Sequence, residues 1–594
     1  MPSRRIRLVR HTGRNMRSLA FLIGFIVCCS FSQSHAAAEV GDAAFNQIAN
    51  EFISGYLAWR PGMAVGLGLH EYDGKAPDLS RESIRRELDR LKVFEGRLKG
   101  LNWTLSAQAD YDRRILLSAI EGDIFGLEDV RGYYRNPSSY VLGEDINVYV
   151  TRNFAPPQQR LASIVEIEKA VPQIVATARE NLDEVLPKPF VEAAIRNVKG
   201  AASFLETDLP AAFKGVGDEG LIARFHDANT KAAASLHEYA SYLETEKLSG
   251  ANASFALGAE KYKKMLQTEE MLTLSPERIL EIGLRQLKHE QETFAAAARV
   301  IDPNRSPVEV YRAIQKDHPT ADGLIPDARR DLDAIRQFVI DRQLVSVPSA
   351  VRAKVMETPP FARAGNFASM STPGPFETKA TEAIYYITPV EREWPAARQE
   401  QWLTAFNYYT LDVVSIHEAY PGHYVQFQHL NASPATKVEK IFGSYAYIEG
   451  WAHYCEQMVL DEGFGGSDRV RAARFRLAQS AEALLRLCRL CCSVKMHCQG
   501  MSLDEAARFF QNNCYYEAGP AREEALRGTF DPGYLYYSIG KMELLKLRED
   551  YRRQEGATFS LLKFHDQVLG HGMPPIRLLR ELMLKDRSLY DQEL

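Results

Sequence analysis

No stretch beyond about residue 31 is long and apolar enough to cross a bilayer, and no fixed-period repeat or low-complexity linker divides the chain. Beads on a string and a polytopic membrane protein are excluded at the outset. Positive charge is also short: 72 Lys and Arg stand against 77 Asp and Glu, a formal charge of −5. Cysteine is scarce, with eight in 594 residues. Two of them, Cys28 and Cys29, fall in the N-terminal apolar run, and the other six lie between Cys455 and Cys514. Cys488, Cys491, Cys492 and Cys498 form one cluster, without the paired C-x-x-C knuckles of a structural zinc site. Two readings stay open for them: buried thiols on a helix, or a disulfide such as one to Cys514.

What is present begins with an address. Arg4, Arg5, Arg7, Arg10, Arg14 and Arg17 precede an apolar run from Leu19 to about Phe31, and Ser34-His-Ala36 offers a small-residue cleavage site. Residues 1–36 read as a cleaved export signal, which places the mature chain in the periplasm or outside the cell. Cys28 and Cys29 lack the small residue that precedes a lipidated cysteine, which argues against a lipoprotein. Cleavage removes six arginines and no acid, so the charge moves from −5 to −11. An acidic exported protein is a poor partner for nucleic acid or an anionic membrane surface.

Residues 37–350 read as a helical lobe. Apolar residues at spacings of three and four mark Ser80–Lys99, Ala107–Phe125, Pro157–Leu182, Lys231–Glu246 and Pro276–Arg299, with starts signalled by Ser80 and by Ser275-Pro276-Glu277. Near residue 355 the texture changes to a turn-rich loop through Pro375. Glu382-Ala-Ile-Tyr-Tyr-Ile-Thr388 then reads as a strand. Arg398–Tyr420 follows as one helix, with Trp402, Phe406, Tyr409, Val413 and Ile416 as its buried stripe.

That helix delivers the chain's most chemical stretch. His417 and Glu418 are followed by Pro421, Gly422 and His423. Two imidazoles beside a carboxylate are what a catalytic zinc needs. The histidines are six apart, not the four of H-E-x-x-H, so a straight helix would splay their rings by roughly 240°. Pro421 has no N–H to donate and Gly422 is permissive, so a break there would bring the rings back together. A third ligand is expected from Tyr447–Glu456, where Glu449, His453 and Glu456 share a helix face.

H-E-x-x-P-G-H followed by E-G-W-A-x-Y-x-E resembles the paired signatures of a large bacterial family labelled as a domain of unknown function. That family is grouped with the gluzincin-like zinc peptidases, whose helical members include thimet oligopeptidase, angiotensin-converting enzyme and the Taq-type carboxypeptidases. The resemblance implies Zn2+ held by His417, His423 and Glu449, with Glu418 as catalytic base. A tyrosine three residues before a glycine implies Tyr537, with Gly540, as the oxyanion donor. Tyr534 and Tyr536 compete with it. The strand near residue 385 is expected either to pair with extended substrate or to be a structural hairpin. His497 and Arg527 are candidate substrate contacts or structural pairings, and Asp412 is a candidate to orient a ligating imidazole. His429 and His453 are expected to stand outside the ligand set, with Glu456 undecided.

The expected fold is a mostly α, multi-helical body with a small β element near residue 385. A deep cleft is expected between the 37–350 lobe and the metal-bearing lobe 351–594, the two forming one integrated domain. The expected function is zinc-dependent hydrolysis of exported or periplasmic peptides. Two alternatives stand beside it: an amidase acting on a cell-wall or small-molecule amide, and a non-catalytic helical scaffold with a structural or lapsed metal site.

Overall fold

The computed structural model describes residues 16–359, 363, 367–592 and 594, with side chains from residue 38 onward apart from that of residue 144. Arg4, Arg5, Arg7, Arg10 and Arg14 of the expected export signal lie outside these residues, as do Pro360, Gly365 and Asn366 of the turn-rich loop. Among the described residues no helix is long and apolar enough to cross a membrane.

Helices make up most of the chain, as the periodicity implies. Ser80 caps Arg81–Lys99 by accepting from the Ser83 amide, and Ser275 caps Pro276–Ile301 by accepting from that of Arg278. Each cap satisfies an amide that the first turn leaves without a partner. Two boundaries differ from expectation. The helix expected from Lys231 starts at Glu219, where the Asp218 carboxylate accepts from the Leu221 amide. Arg398–Tyr420 is not one helix but two, Ala396–Ala405 and Tyr408–Glu418. Asn407 makes the break, its side chain accepting from the Thr410 amide at 3.1 Å. The stripe survives it, since Phe406, Tyr409, Val413 and Ile416 are buried on both sides.

Three short strands form the β element: β1 (Lys354–Glu357), β2 (Ala368–Ser371) and β3 (Ile384–Ile387). β3 is central, parallel to β1 with Val355 opposite Tyr385, and antiparallel to β2 with Met370 opposite Tyr385. The strand near residue 385, read either as a seat for extended substrate or as part of a structural hairpin, therefore has both edges occupied. Its role is to brace the site, through a 3.2 Å hydrogen bond between the Tyr385 hydroxyl and Ser415 of the His417 helix.

Apolar packing crosses residue 350 repeatedly. Ile279, Leu280 and Leu287 from Pro276–Ile301 share a core with Leu484, Cys488 and Leu490 from Arg469–Cys498. Phe45, Phe52 and Leu91 pack with Val438, Phe442 and Leu578. A further core holds Tyr385, Leu411, Ile416, Trp451 and Leu544, and it is the platform on which the chemical residues stand. The six cysteines from Cys455 to Cys514 are free thiols, and all but Cys498 are buried.

Candidate metal centre

The His417 helix ends at Glu418, and a new helix, His423–Ala432, begins five residues later. The Ala419 amide still makes the regular helical bond to Ser415 O at 2.9 Å, but the Gly422 amide reaches past it to Ile416 O at 3.0 Å, and there the regular ladder ends. Gly422 is needed here for space. Its φ is −65°, which any residue adopts, but a Cβ would overlap the His417 carbonyl oxygen. The Trp451 indole N–H donates to Pro421 O at 2.9 Å and ties the break to the helix Tyr445–Asp461.

The break turns the two imidazoles towards one point. Their centroids are 4.9 Å apart with planes at 89°. Glu449 arrives from Tyr445–Asp461, its Oε2 lying 3.5 Å from Nε2 of His417 and 3.5 Å from Nε2 of His423. The three ligand atoms lie within 4.8 Å of one another, and the side chains are only 7%, 12% and 18% exposed. Glu449 Oε2 is buried and completes no hydrogen bond with either ring. Four-coordinate zinc with bonds of about 2.0–2.1 Å places neighbouring ligand atoms roughly 3.3 Å apart. The donor set suits such an ion, and the two 3.5 Å separations from Glu449 are close to that spacing.

A second layer holds the first. The Glu456 carboxylate accepts from His417 Nδ1 at 2.8 Å on one oxygen and from His453 Nδ1 at 3.0 Å on the other. Arg486 also approaches it, at 3.3 Å. A carboxylate acceptor fixes one proton on His417 Nδ1 and makes Nε2 the nitrogen turned towards Glu449. Burial opposes charge on His417, but Glu449 and Glu456 outweigh it and push its pKa up to about 9. Burial also opposes charge on Glu449, yet the two imidazoles hold its carboxyl well below the usual range. Glu418 is half-buried; burial raises its pKa, the imidazoles of His417 and His423 pull it down, and Glu449 pushes it up again.

Tyr537 lies in the first turn of Tyr536–Glu555. Its ring is 5.8 Å from that of Tyr445 and within 5.2–5.8 Å of the guanidinium carbons of Arg486, Arg489 and Arg527. Burial raises its hydroxyl pKa, and the Glu449 carboxylate adds to the rise, so the group stays a donor. Its competitors face elsewhere. Tyr536 donates to Glu269 at 3.1 Å, and the buried Tyr534 hydroxyl packs against Gly528.

Position sorts the other candidates. Asp412 does not orient a ligand: among the described residues its Oδ1 makes no hydrogen bond, and its charged neighbours are Asp331, Arg471 and Arg330. Glu456 does that work for His417. His497 is buried, with Nδ1 accepting from the Leu257 amide and Nε2 bonded to Gly528 O at 2.8 Å, so neither nitrogen is left for substrate. Arg527 is held by Asp531 at 2.9 Å and donates to the Tyr445 hydroxyl at 3.1 Å. His429 bonds to Ser346 O at 2.9 Å and stands outside the cluster. Tyr445 and Arg486 were not singled out from the sequence. Tyr445 sits one turn before Glu449 and shares its face, which was the available signal.

Residues 61–583 match a family described as bacterial proteins of unknown function, DUF885. The chain belongs to that family. The DUF885 match takes in both motifs and Tyr537, and so the whole cluster just described. Two solved structures share the fold. One, titled "putative lipoprotein of unknown function", is from Shewanella oneidensis; it is 24% identical with a TM-score of 0.76, over 91% of this chain and 100% of that one. The other, a "putative lipoprotein" from Colwellia psychrerythraea, is 17% identical with a TM-score of 0.75, over 92% and 99%. No curated protein matches the chain.

Proposed function

We propose that this protein is a gluzincin-like zinc hydrolase that cleaves peptide bonds of exported peptides. The observation that carries the reading is the buried Glu449 Oε2, which lies 3.5 Å from an imidazole nitrogen of each histidine without completing a hydrogen bond, with a carboxylate base next in sequence to one of them. A structural site has no use for Glu418. The residues His417, His423 and Glu449 would hold the ion. Zinc there would supply Lewis acidity towards a carbonyl and would make water easier to deprotonate.

The remaining work falls to the chain. Glu418, its pKa raised by burial, takes the proton of the attacking water and delivers it to the leaving amine. Tyr537 donates to the carbonyl oxygen as it gains charge, and Arg486, Arg489 and Arg527 around its ring favour negative charge at that point. The Glu456 carboxylate keeps His417 in one tautomer and one orientation. An exported location is supported by the arginine-rich N-terminus with its apolar run and by the titles of the two structural neighbours.

The test uses a peptide library and metal analysis together. Mature protein should hold about one zinc and cleave library peptides. Glu418→Gln should keep the metal and lose at least about a hundredfold in turnover. Tyr537→Phe should keep the metal and slow cleavage. Wild-type rates in Glu418→Gln would refute the mechanism. Cleavage confined to non-peptide amides would move the assignment to an amidase. Full zinc without turnover of any amide would favour a scaffold.

A further inference from the structure

Beyond Glu456, on the side away from His417, lies a cavity of about 240 Å3 that the hydrolytic reading does not use. His453, Gln479, Ser538, Lys541, Arg476 and Glu290 are among its walls. Three of these are buried donors in search of acceptors. Ser538 and Gln479 are 2% and 1% exposed, and Ser538 Oγ and Gln479 Nε2 have no hydrogen-bond partner among the described residues. The Gln479 amide has its orientation set: its oxygen accepts from Arg476 at 3.1 Å, so its NH2 is the end left over. Arg476 itself is engaged by Asp461. Lys541 is 7% exposed; its ammonium feels the carboxylates of Glu290 and Glu456 but forms a hydrogen bond with neither among the described residues.

Buried donors of this kind call for acceptor oxygens, and a cation among them calls for negative charge. Glu290 supplies the opposite requirement. It lines the same cavity, with one oxygen accepting from Ser480. A plain anion would meet that carboxylate as a like charge, whereas a molecule with an ammonium beside its carboxylate satisfies both ends. We propose that this cavity is a binding site for a free α-amino acid, its carboxylate taken by Lys541, Ser538 and Gln479 and its ammonium by Glu290. The occupant would rest against His453, two hydrogen bonds away from His417 through Glu456. The site goes beyond the hydrolase reading and does not require it.

L-alanine, propionate and ethylamine separate the two charged ends. Equilibrium dialysis of radiolabelled L-alanine with mature, metal-stripped protein should show saturable binding of about one per chain. Propionate should compete poorly and ethylamine not at all. Lys541→Met and Ser538→Ala should each weaken alanine about tenfold or more, with the milder Ser538→Ala deciding if the lysine variant misfolds. Glu290→Gln should weaken alanine without weakening propionate. His423→Ala should bind alanine as the parent does, which separates this site from substrate binding at the metal cluster. Absence of saturable uptake at millimolar alanine, equal uptake by the parent and a folded Ser538→Ala variant, loss of uptake in a folded His423→Ala variant, or propionate binding as tightly as alanine would each overturn the proposal.

Discussion

Gly450 and Gly540 meet backbone to backbone. A Cβ built on Gly450 would lie 2.5 Å from the Gly540 Cα, and one built on Gly540 would overlap the Ala446 carbonyl oxygen. The helix Tyr445–Asp461 carries Glu449, and the helix Tyr536–Glu555 carries Tyr537. Their close crossing is what holds the candidate oxyanion donor within electrostatic reach of the candidate ligand.

Gly540→Ala should therefore destabilise by about 1–3 kcal/mol, because added volume in a packed crossing has nowhere to go. Gly200→Ala is the control. Gly200 sits in the helix Lys188–Glu206 with no atom near its missing Cβ, so alanine there should stabilise by roughly 0.5–1 kcal/mol. Urea titrations of both variants read the two signs directly. Equal effects would show that the crossing is not tight.

Gly422→Ala should cost metal retention without altering a ligand. The new methyl meets the His417 carbonyl oxygen and approaches Ile416 O at 2.5 Å, so the segment leading to His423 has to move away from His417. Zinc content after dialysis, measured on variant protein with a native circular-dichroism spectrum, checks it. A full zinc complement would show that the break tolerates a side chain.

Much of this site is legible in the sequence because its signals are local. Pro421 and Gly422 announce a break between two histidines, and Ser80 and Ser275 announce helix starts. Glu449, His453 and Glu456 announce one helical face. The failures are of two kinds. Asn407 divides a helix by capping, and an asparagine in a helical pattern carries no mark that says which state it takes. β2 is Ala-Ser-Met-Ser, without the β-branched or aromatic residues that advertise a strand, and it exists because β3 offers it an edge. Beyond these, the choice of Glu456 over Asp412 as the support for His417 depends on how helices cross. No pattern within one helix encodes that.

Glu168 should make stability depend on pH. It is fully buried on the helix Pro157–Asn181, neither carboxyl oxygen has a hydrogen-bond partner among the described residues, and burial pushes its pKa up to about 8. Below about 4.5 it is protonated in both folded and unfolded chains and has no effect. Between about 4.5 and 8 the unfolded chain ionises while the folded one keeps its proton, so stability falls by up to ~1.4 kcal/mol per pH unit from this group. Glu168→Met should remove that dependence and gain most at pH 8 and above. Melting curves of parent and variant from pH 5 to 8 that run parallel would refute it.

The last prediction couples zinc to protons through His417. In the metal-free protein its pKa is raised to about 9 by Glu449 and Glu456, so at neutral pH the ring carries both protons. A metal needs the Nε2 lone pair, so uptake must expel one proton from this residue. Glu449, held well below the usual carboxylate range, is already ionised and releases none. The sign follows: between neutral pH and about 9, apparent zinc affinity should rise with pH by about tenfold per unit, then level off. Glu456→Gln removes one of the two carboxylates that hold the proton. It should lower the number of protons released near neutral pH and flatten the affinity profile there, while weakening affinity about 10–100-fold through loss of ring orientation. Calorimetric titration with zinc in two buffers of different ionisation enthalpy counts the released protons in parent and variant. Affinity that is flat from neutral pH to 9, or a proton count that Glu456→Gln leaves unchanged, would mean that the His417–Glu456 bond does not govern the ligand.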